Sequence, residues 1–281
     1  LCLFQTKNNK KEVRINPQPI KFRKGLITDQ PIYNGYKINT KEGEFECIKK
    51  YLDIQENLID DFLSQRSTAI LIRFDLSLDK DFRGQFQNVT GYTSRLLNRL
   101  NTALKAPNPN GKSHKLVHYF CVTEYAKRKG IHWHCWVMVD RSITQSAGRL
   151  IDRQTGRAGA GILGKIEHIW HDITKGKVTY VEPKPEYRNF EESMSIFRNG
   201  CFHLKRSDQR ARGIVLYNIS YLAKVNQKFK PKYGAKSLTH SRAKTTKLTR
   251  GRPKAFGSTP KPFGSPVGAL KPFSILGKAS C

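Results

Sequence analysis

The stretch at residues 118–137, HYFCVTEYAKRKGIHWHCWV, decides the fold. It lies within two runs rich in β-branched and aromatic residues, at 115–125 and 131–139, which are separated by AKRKG. Gly130 and the charged residues before it indicate the tip of a β-hairpin. Both faces of the second run are mainly apolar, which is typical of a central strand.

Further strands and helices are predicted on either side of this hairpin. AILIRFDLS at 69–77 predicts a strand, and apolar residues at helical spacing predict a helix over 89–104. After the hairpin, we expect a helix over 162–173, strands over 178–181 and 200–204, and a helix over 214–228. This order predicts an α+β fold, with helices packed on a central antiparallel sheet of about five strands.

The composition limits the class of protein. The 281 residues include 51 Lys+Arg and 22 Asp+Glu, which gives a net charge of +29. No stretch approaches the roughly 18 consecutive apolar residues of a membrane helix, so we expect no membrane partner and a location inside a cell. The 6 cysteines form no CxxC pair, which favours reduced thiols over a disulfide framework or a zinc ribbon.

The basic residues are concentrated towards the ends of the chain. Residues 230–281 contain no Asp or Glu and are rich in Pro, Gly and Ser, which predicts a flexible basic tail. Residues 1–67 are interpreted as a basic extension with a helical segment over 44–65, so that the folded domain spans 68–229. Such charge favours nucleic acid as the partner, bound in a salt-dependent way.

The hairpin brings together a candidate metal site. His132 and His134 are two residues apart on one strand, so their side chains project from the same face. If the turn is centred near Arg128, Glu124 lies directly opposite His132. Two nitrogens and a carboxylate oxygen without a thiolate suit Mg²⁺ or Mn²⁺, although zinc or iron also fits these ligand types.

The helix predicted over 214–228 carries a candidate nucleophile. Its spacing places Tyr217, Tyr221, Lys224 and Lys228 on one helical face, which we expect to line a surface groove. A tyrosine oxygen is a poor nucleophile at its free pKa near 10. A metal ion and neighbouring lysines offset this by stabilising the negative charge on the phenolate and on a phosphate.

Together these motifs resemble the HUH superfamily of single-strand DNA endonucleases. HWH at 132–134 is similar to the metal-binding motif of that superfamily, and YLAK at 221–224 is similar to its Tyr-x-x-Lys nucleophile motif. Within the superfamily, RFDLSL at 73–78, the hairpin and SYLAK at 220–224 resemble replication initiators of filamentous phages (inoviruses) and related prophage proteins. The resemblance covers residues 68–229.

The resemblance implies an enzyme that nicks one DNA strand at a replication origin. His132, His134 and Glu124 then hold Mg²⁺ or Mn²⁺, and Tyr221 attacks the phosphate to leave a 5′-phosphotyrosine and a 3′-OH primer. Lys224 stabilises charge, and Tyr217 or the new 3′ end completes the later rejoining. Such an initiator works in the cytoplasm of a bacterial host on single-stranded origin DNA, with a host polymerase.

DNA contacts and competing functions complete the predictions. Lys127, Arg128, Lys129 and Lys228 are expected to hold the DNA backbone. The sequence has no GxxxxGK[ST] motif, so unwinding requires a host or partner helicase. Alternatives are a relaxase or transposase of the same superfamily, an iron oxygenase with two histidines and a carboxylate, and a non-catalytic basic nucleic-acid-binding protein.

Overall fold

The computed structural model describes residues 19–79, 89–104, 117–152, 154–183, 190–228 and 237–243. The chain divides into two compact units, Leu1–Lys244 and Thr245–Cys281. All of the described residues belong to the first unit. Residues 1–18 of the predicted extension and most of the predicted tail lie outside the described residues.

The described residues form five α-helices and eleven strands. The helices are α1 (Lys49–Gln65), α2 (Val89–Ala103), α3 (Gly161–Thr174), α4 (Phe190–Ile196) and α5 (Gln209–Ser220). The strands are β1 (Ile27–Thr28), β2 (Ile32–Tyr33), β3 (Tyr36–Lys37), β4 (Cys47–Ile48), β5 (Thr68–Ser77), β6 (Val117–Ala126), β7 (Gly130–Asp140), β8 (Lys177–Val181), β9 (Phe197–Arg198), β10 (Cys201–Lys205) and β11 (Leu238–His240). Two 3-10 turns, Lys24–Leu26 and Tyr221–Ala223, accompany them.

Seven of these strands form one antiparallel sheet in the described part of the chain. Its order is β11-β6-β7-β5-β10-β9, and β8 also pairs with β5. Strands β8 and β10 share one edge of β5, because β10 pairs with its first residues and β8 with its last. The predicted α+β class with a central antiparallel sheet is confirmed.

Strand alternation builds a hydrophobic core on each face of the sheet. On β7, Trp133 and Cys135 point towards α2 and α3 and belong to one core. Trp136 and Met138 point towards α1 and α5 and belong to the other core. Because His132 and His134 share the alternation of Trp136, they lie on the α1 and α5 face. This placement brings the end of α5 over the histidines.

The sheet reaches beyond the range predicted for the folded domain. Strand β11 lies in the predicted tail and pairs with β6, with Leu238 opposite Val122. At the other end, α1 buries Leu58, Ile59 and Phe62 in the core above the sheet, so this part of the predicted extension packs into the same unit. Within the described ranges, no helix is long and apolar enough to cross a membrane.

Candidate active site

The β6–β7 hairpin positions the three predicted metal ligands. Glu124 pairs with His132 across the two strands, and His134 pairs with Val122. The ligand atoms of Glu124, His132 and His134 all lie within 4.8 Å of one another, and all three residues are buried. The predicted convergence of two imidazoles and one carboxylate on one point is therefore confirmed.

Hydrogen bonds orient both imidazoles for binding a cation. The Nδ1 atom of His134 lies 2.7 Å from Asp75 Oδ1, and the Nδ1 atom of His132 lies 3.1 Å from the carbonyl oxygen of Gly130. Both partners are acceptors, so in a neutral ring the proton resides on Nδ1. The lone pair on each Nε2 then faces Glu124 Oε2, at 3.9 Å from His132 and 3.3 Å from His134.

The donor set fits a divalent cation. Glu124 Oε2 is fully buried and makes no hydrogen bond of good geometry among the described residues, although Lys224 Nζ and His134 Nε2 each lie 3.3 Å from it. A buried carboxylate oxygen carries a large desolvation cost, which a bound cation offsets. Two nitrogens and this oxygen supply three ligands, and a substrate phosphate and water are able to complete the coordination of Mg²⁺ or Mn²⁺. Both the binding of a cation and its identity stay predictions.

Burial and neighbouring groups shift the pKa values of the two histidines in opposite directions. Burial lowers the pKa of His132. Burial also disfavours the charged form of His134, but the hydrogen bonds to Asp75 and Glu124 outweigh it and raise the pKa. Because a proton on either Nε2 competes with a metal ion, cation affinity falls as the pH falls.

Two lysines neutralise the buried Glu124 carboxylate. Lys228 Nζ donates a hydrogen bond to Oε1, and Lys224 Nζ lies 3.3 Å from Oε2. Burial alone raises the pKa of Glu124, but the hydrogen bond with His134 and the positive charge of Lys228 hold it well below its usual range. Burial lowers the pKa of Lys228 to about 8 although Glu124 opposes the shift. The carboxylate is therefore ionised at neutral pH.

The backbone that carries these lysines does not follow the predicted helix. Helix α5 ends at Ser220, Tyr221 begins a 3-10 turn, and the backbone of Lys224 is non-helical. The side chains of Glu124 and Lys228 are both 0% exposed. Lys228 is therefore a buried partner of Glu124, and the prediction that it contacts DNA is corrected.

Tyr221 lies beside the metal ligands. Its hydroxyl accepts a hydrogen bond of 2.7 Å from Lys224 Nζ. Its ring packs edge-on against His134, with 6.0 Å between the ring centres, and edge-on against Phe45 at 5.8 Å. These contacts fix the ring, so that the phenolic oxygen and the metal ligands are held in one site.

An open cleft gives a substrate access to this site. It has a volume of about 360 Å³ and is lined by Ala126, Lys127, Arg128, Lys129, His132, His134, Tyr221, Lys224 and Gln227. The three basic residues lie at the hairpin tip, as the sequence predicted, and are exposed; their contact with DNA stays a prediction. Among the described residues, Tyr217 does not line the cleft, although it precedes Tyr221 by one helical turn.

The tryptophans of the HWH stretch belong to the protein interior. Trp133 packs edge-on against Trp170, with 5.1 Å between the ring centres. Trp136 donates a hydrogen bond from Nε1 to Gln55 Oε1. Both tryptophans are fully buried. This agrees with a central strand that is apolar on both faces.

Comparison with known families places the chain. The family model of the YagK/YfjJ C-terminal domain matches residues 28–241. The chain belongs to this family. No curated protein and no solved structure matches the chain. The name of the family states no activity, so the resemblance to HUH endonucleases stays a prediction.

The match also bears on the extent of the YagK/YfjJ C-terminal domain. It begins at residue 28 and ends at residue 241, which nearly coincides with the run from β1 to β11. Strand β4 contacts the residue that follows the 3-10 turn Tyr221–Ala223 through a bridge between Cys47 and Lys224. Elements before residue 68 therefore help to shape the site of this domain.

Sequence reasoning missed two charged residues on β5. Arg73 donates a hydrogen bond of 3.0 Å from NH1 to the carbonyl oxygen of Asn218, and its guanidinium lies 5.8 Å from the centre of the Tyr221 ring. Asp75 holds His134. Both charges interrupt the apolar strand AILIRFDLS at 69–77 and project from one face. Two charged residues inside a strand that is otherwise apolar were the sequence signal that could have identified them.

We expect Asp75→Ala to weaken metal binding by about 10–100-fold, as removal of partners of ligating histidines typically does. Without Asp75, the His134 ring is free to rotate and loses the acceptor that fixes its proton on Nδ1. Titration calorimetry with Mn²⁺ measures the change. Asp172→Ala removes an exposed carboxylate that pairs with Arg99 and serves as the control. Equal affinities for the two variants contradict the role of Asp75.

Proposed function

We propose that this protein is a metal-dependent tyrosine nickase that initiates rolling-circle replication. One observation carries the proposal: Tyr221 and Lys224 line the same open cleft as His132 and His134, whose ring nitrogens converge with the buried Glu124 carboxylate. A cation site next to a fixed phenol suits phosphoryl transfer, in which catalysis consists mainly of positioning and charge stabilisation. The net charge of +29 suits a DNA substrate.

His132, His134 and Glu124 would hold a divalent cation, which would supply Lewis-acid polarisation of the scissile phosphate. The proton of Tyr221 passes to water in the open cleft and its oxygen attacks phosphorus, while the ammonium of Lys224, 2.7 Å away, stabilises the phenolate. The bond between phosphorus and the O3′ atom breaks, and O3′ takes up a proton. The products are a 5′-phosphotyrosine and a free 3′-OH that primes a host polymerase. Since one phosphodiester replaces another, the reaction needs no ATP.

Rejoining reverses the same chemistry. A second cleavage at the regenerated origin frees a 3′-OH on the displaced strand, and this 3′-OH attacks the phosphotyrosine, which releases Tyr221 and closes the displaced strand. Because Tyr217 does not line the cleft among the described residues, we favour the 3′-OH over Tyr217 as the acceptor. Lys127, Arg128 and Lys129 lie on the cleft wall, where they hold the DNA backbone beside Tyr221.

The setting of this activity follows from its chemistry. The substrate is single-stranded DNA at an origin in the cytoplasm of a bacterial host. Unwinding is supplied by a host or partner helicase. A relaxase or a transposase of the same superfamily uses the same attack by tyrosine, and the DNA sequence that is cleaved distinguishes these functions.

We expect the purified protein to form a covalent adduct with a single-stranded oligonucleotide in the presence of Mn²⁺ or Mg²⁺. Oligonucleotides tiled across the DNA that flanks its gene are the substrates, and denaturing gels detect the adduct. EDTA is expected to abolish it, because the phosphate then loses its Lewis acid. Salt-sensitive binding without an adduct on any tile contradicts the proposal and favours a non-catalytic binding protein.

A further inference from the structure

Two lysine ammonium groups lie against the Glu124 carboxylate, which carries only one negative charge. Lys228 Nζ contacts Oε1, and Lys224 Nζ lies 3.3 Å from Oε2. Oε2 is also the oxygen that faces the Nε2 atoms of His132 and His134. The oxygen that completes the cation site is therefore the oxygen that Lys224 approaches.

Lys224 and a bound cation compete for this oxygen. Two positive groups at one oxygen repel each other, and the repulsion is strong because water is excluded from a side chain that is 0% exposed. In the free protein, Lys224 therefore weakens the affinity of the site for a divalent cation. The buried Lys228 contacts the other oxygen, so it contributes charge without occupying the position next to the histidines.

The Lys224 ammonium also has a second interaction site, on the cleft side. It lines the open cleft, and its ammonium already donates to the Tyr221 oxygen at 2.7 Å. A phosphate at that oxygen brings negative charge within reach of the same ammonium. By contrast, Lys228 is fully buried and is absent from the residues that line the cleft in the described part of the chain.

We propose that Lys224 couples cation binding to phosphate binding. Without DNA, its ammonium stabilises Glu124 and keeps cation affinity low. When a phosphate enters the cleft, the ammonium interacts with the phosphate instead, and the cation binds Glu124 Oε2 more tightly. Because coupling is reciprocal, the cation raises the affinity for the phosphate by the same factor. The inference rests on the cation site and the phosphate-binding cleft of the proposed function.

Titration calorimetry with Mn²⁺ tests the coupling without any measurement of cleavage. The protein is titrated alone, with a short oligothymidine, and with the same oligothymidine carrying uncharged methylphosphonate linkages. We expect the phosphodiester oligothymidine to tighten Mn²⁺ binding by about 10-fold, within the usual range for coupled sites. The uncharged analogue is expected to leave Mn²⁺ affinity unchanged.

Variants of Lys224 test whether its charge causes the change in Mn²⁺ affinity. Lys224→Met and Lys224→Gln are expected to bind Mn²⁺ about 10-fold more tightly without DNA and to lose the response to oligothymidine. Lys224→Arg keeps the charge and is expected to retain weak binding and coupling. Lys205→Met removes an exposed lysine at the opposite end of the sheet and is expected to behave as the unchanged protein. Two variants without the charge are used because, if one of them misfolds, the other still tests the coupling.

Two results overturn the inference, and they are distinguishable. If Mn²⁺ binds but Lys224→Gln neither tightens binding nor loses the response, the coupling is wrong and the proposed function stands. If Mn²⁺ binds to none of the proteins, both the coupling and the cation site of the proposed function are wrong.

Discussion

Glu124→Gln is expected to destabilise the protein by about 3–5 kcal/mol, the usual cost of removing one partner from a buried ion pair. The substitution preserves side-chain volume but leaves the ammonium groups of Lys224 and Lys228 without a counter-charge. Deprotonation of one lysine limits the cost, because burial already lowers the pKa of Lys228 to about 8. Urea unfolding at neutral pH measures the change in the free energy of unfolding.

Two further variants separate lost charge from general damage. Glu192→Gln, at an exposed position in α4, is expected to change the free energy of unfolding by less than about 0.5 kcal/mol. Adding Lys228→Met to Glu124→Gln removes one unpaired ammonium and is expected to recover part of the loss. A Glu124→Gln protein as stable as the Glu192→Gln protein contradicts the assignment of Glu124 as the counter-ion of the buried lysines.

The positions of the three candidate metal ligands were predictable because two local rules determine them. Alternation along β7 places His132 and His134 on one face, and a turn at residues 127–129 sets Glu124 opposite His132. Both rules act within one hairpin, so no distant part of the chain is needed to apply them. The contact of Asp75 with His134 depends instead on the pairing of β5 with β7, where the two residues are directly opposite.

The end of α5 was not predictable from helical periodicity. Apolar residues continue at helical spacing beyond Ser220, yet distant backbone contacts stop the helix there. Lys224 forms a bridge with Cys47, and the amide of Val225 donates to the carbonyl oxygen of Glu46. These partners lie in a segment whose strands are two residues long, too short for a periodic pattern.

This early helix end explains why both lysines are buried. Leaving the helical path, the chain runs beside β6, where the amide of Tyr125 donates to the carbonyl oxygen of Gln227. As a result, Lys228 lies beneath the hairpin and contacts Glu124, whereas the helical pattern predicted an exposed helical face. The tertiary contact therefore changes a predicted DNA contact into an internal ion pair.

Tyr221→Phe is expected to lower the rate of adduct formation by at least about 10³-fold, or roughly 4 kcal/mol in activation free energy, because it removes the attacking oxygen. The phenyl ring keeps its packing against Phe45 and His134, so we expect the fold to survive. Single-turnover assays with Mn²⁺ and an oligonucleotide that forms the adduct measure the rate. Thermal unfolding of the same preparations checks the fold.

Tyr217→Phe is the matched control, since it also removes a tyrosine hydroxyl, four residues before Tyr221. It is expected to keep the rate of the first cleavage within a few-fold, because Tyr217 does not line the cleft in the described part of the chain. Loss of the adduct in Tyr217→Phe and its persistence in Tyr221→Phe contradict the assignment. The α5 segment then has to rearrange when DNA binds, because Tyr217 does not line the cleft in the described part of the chain.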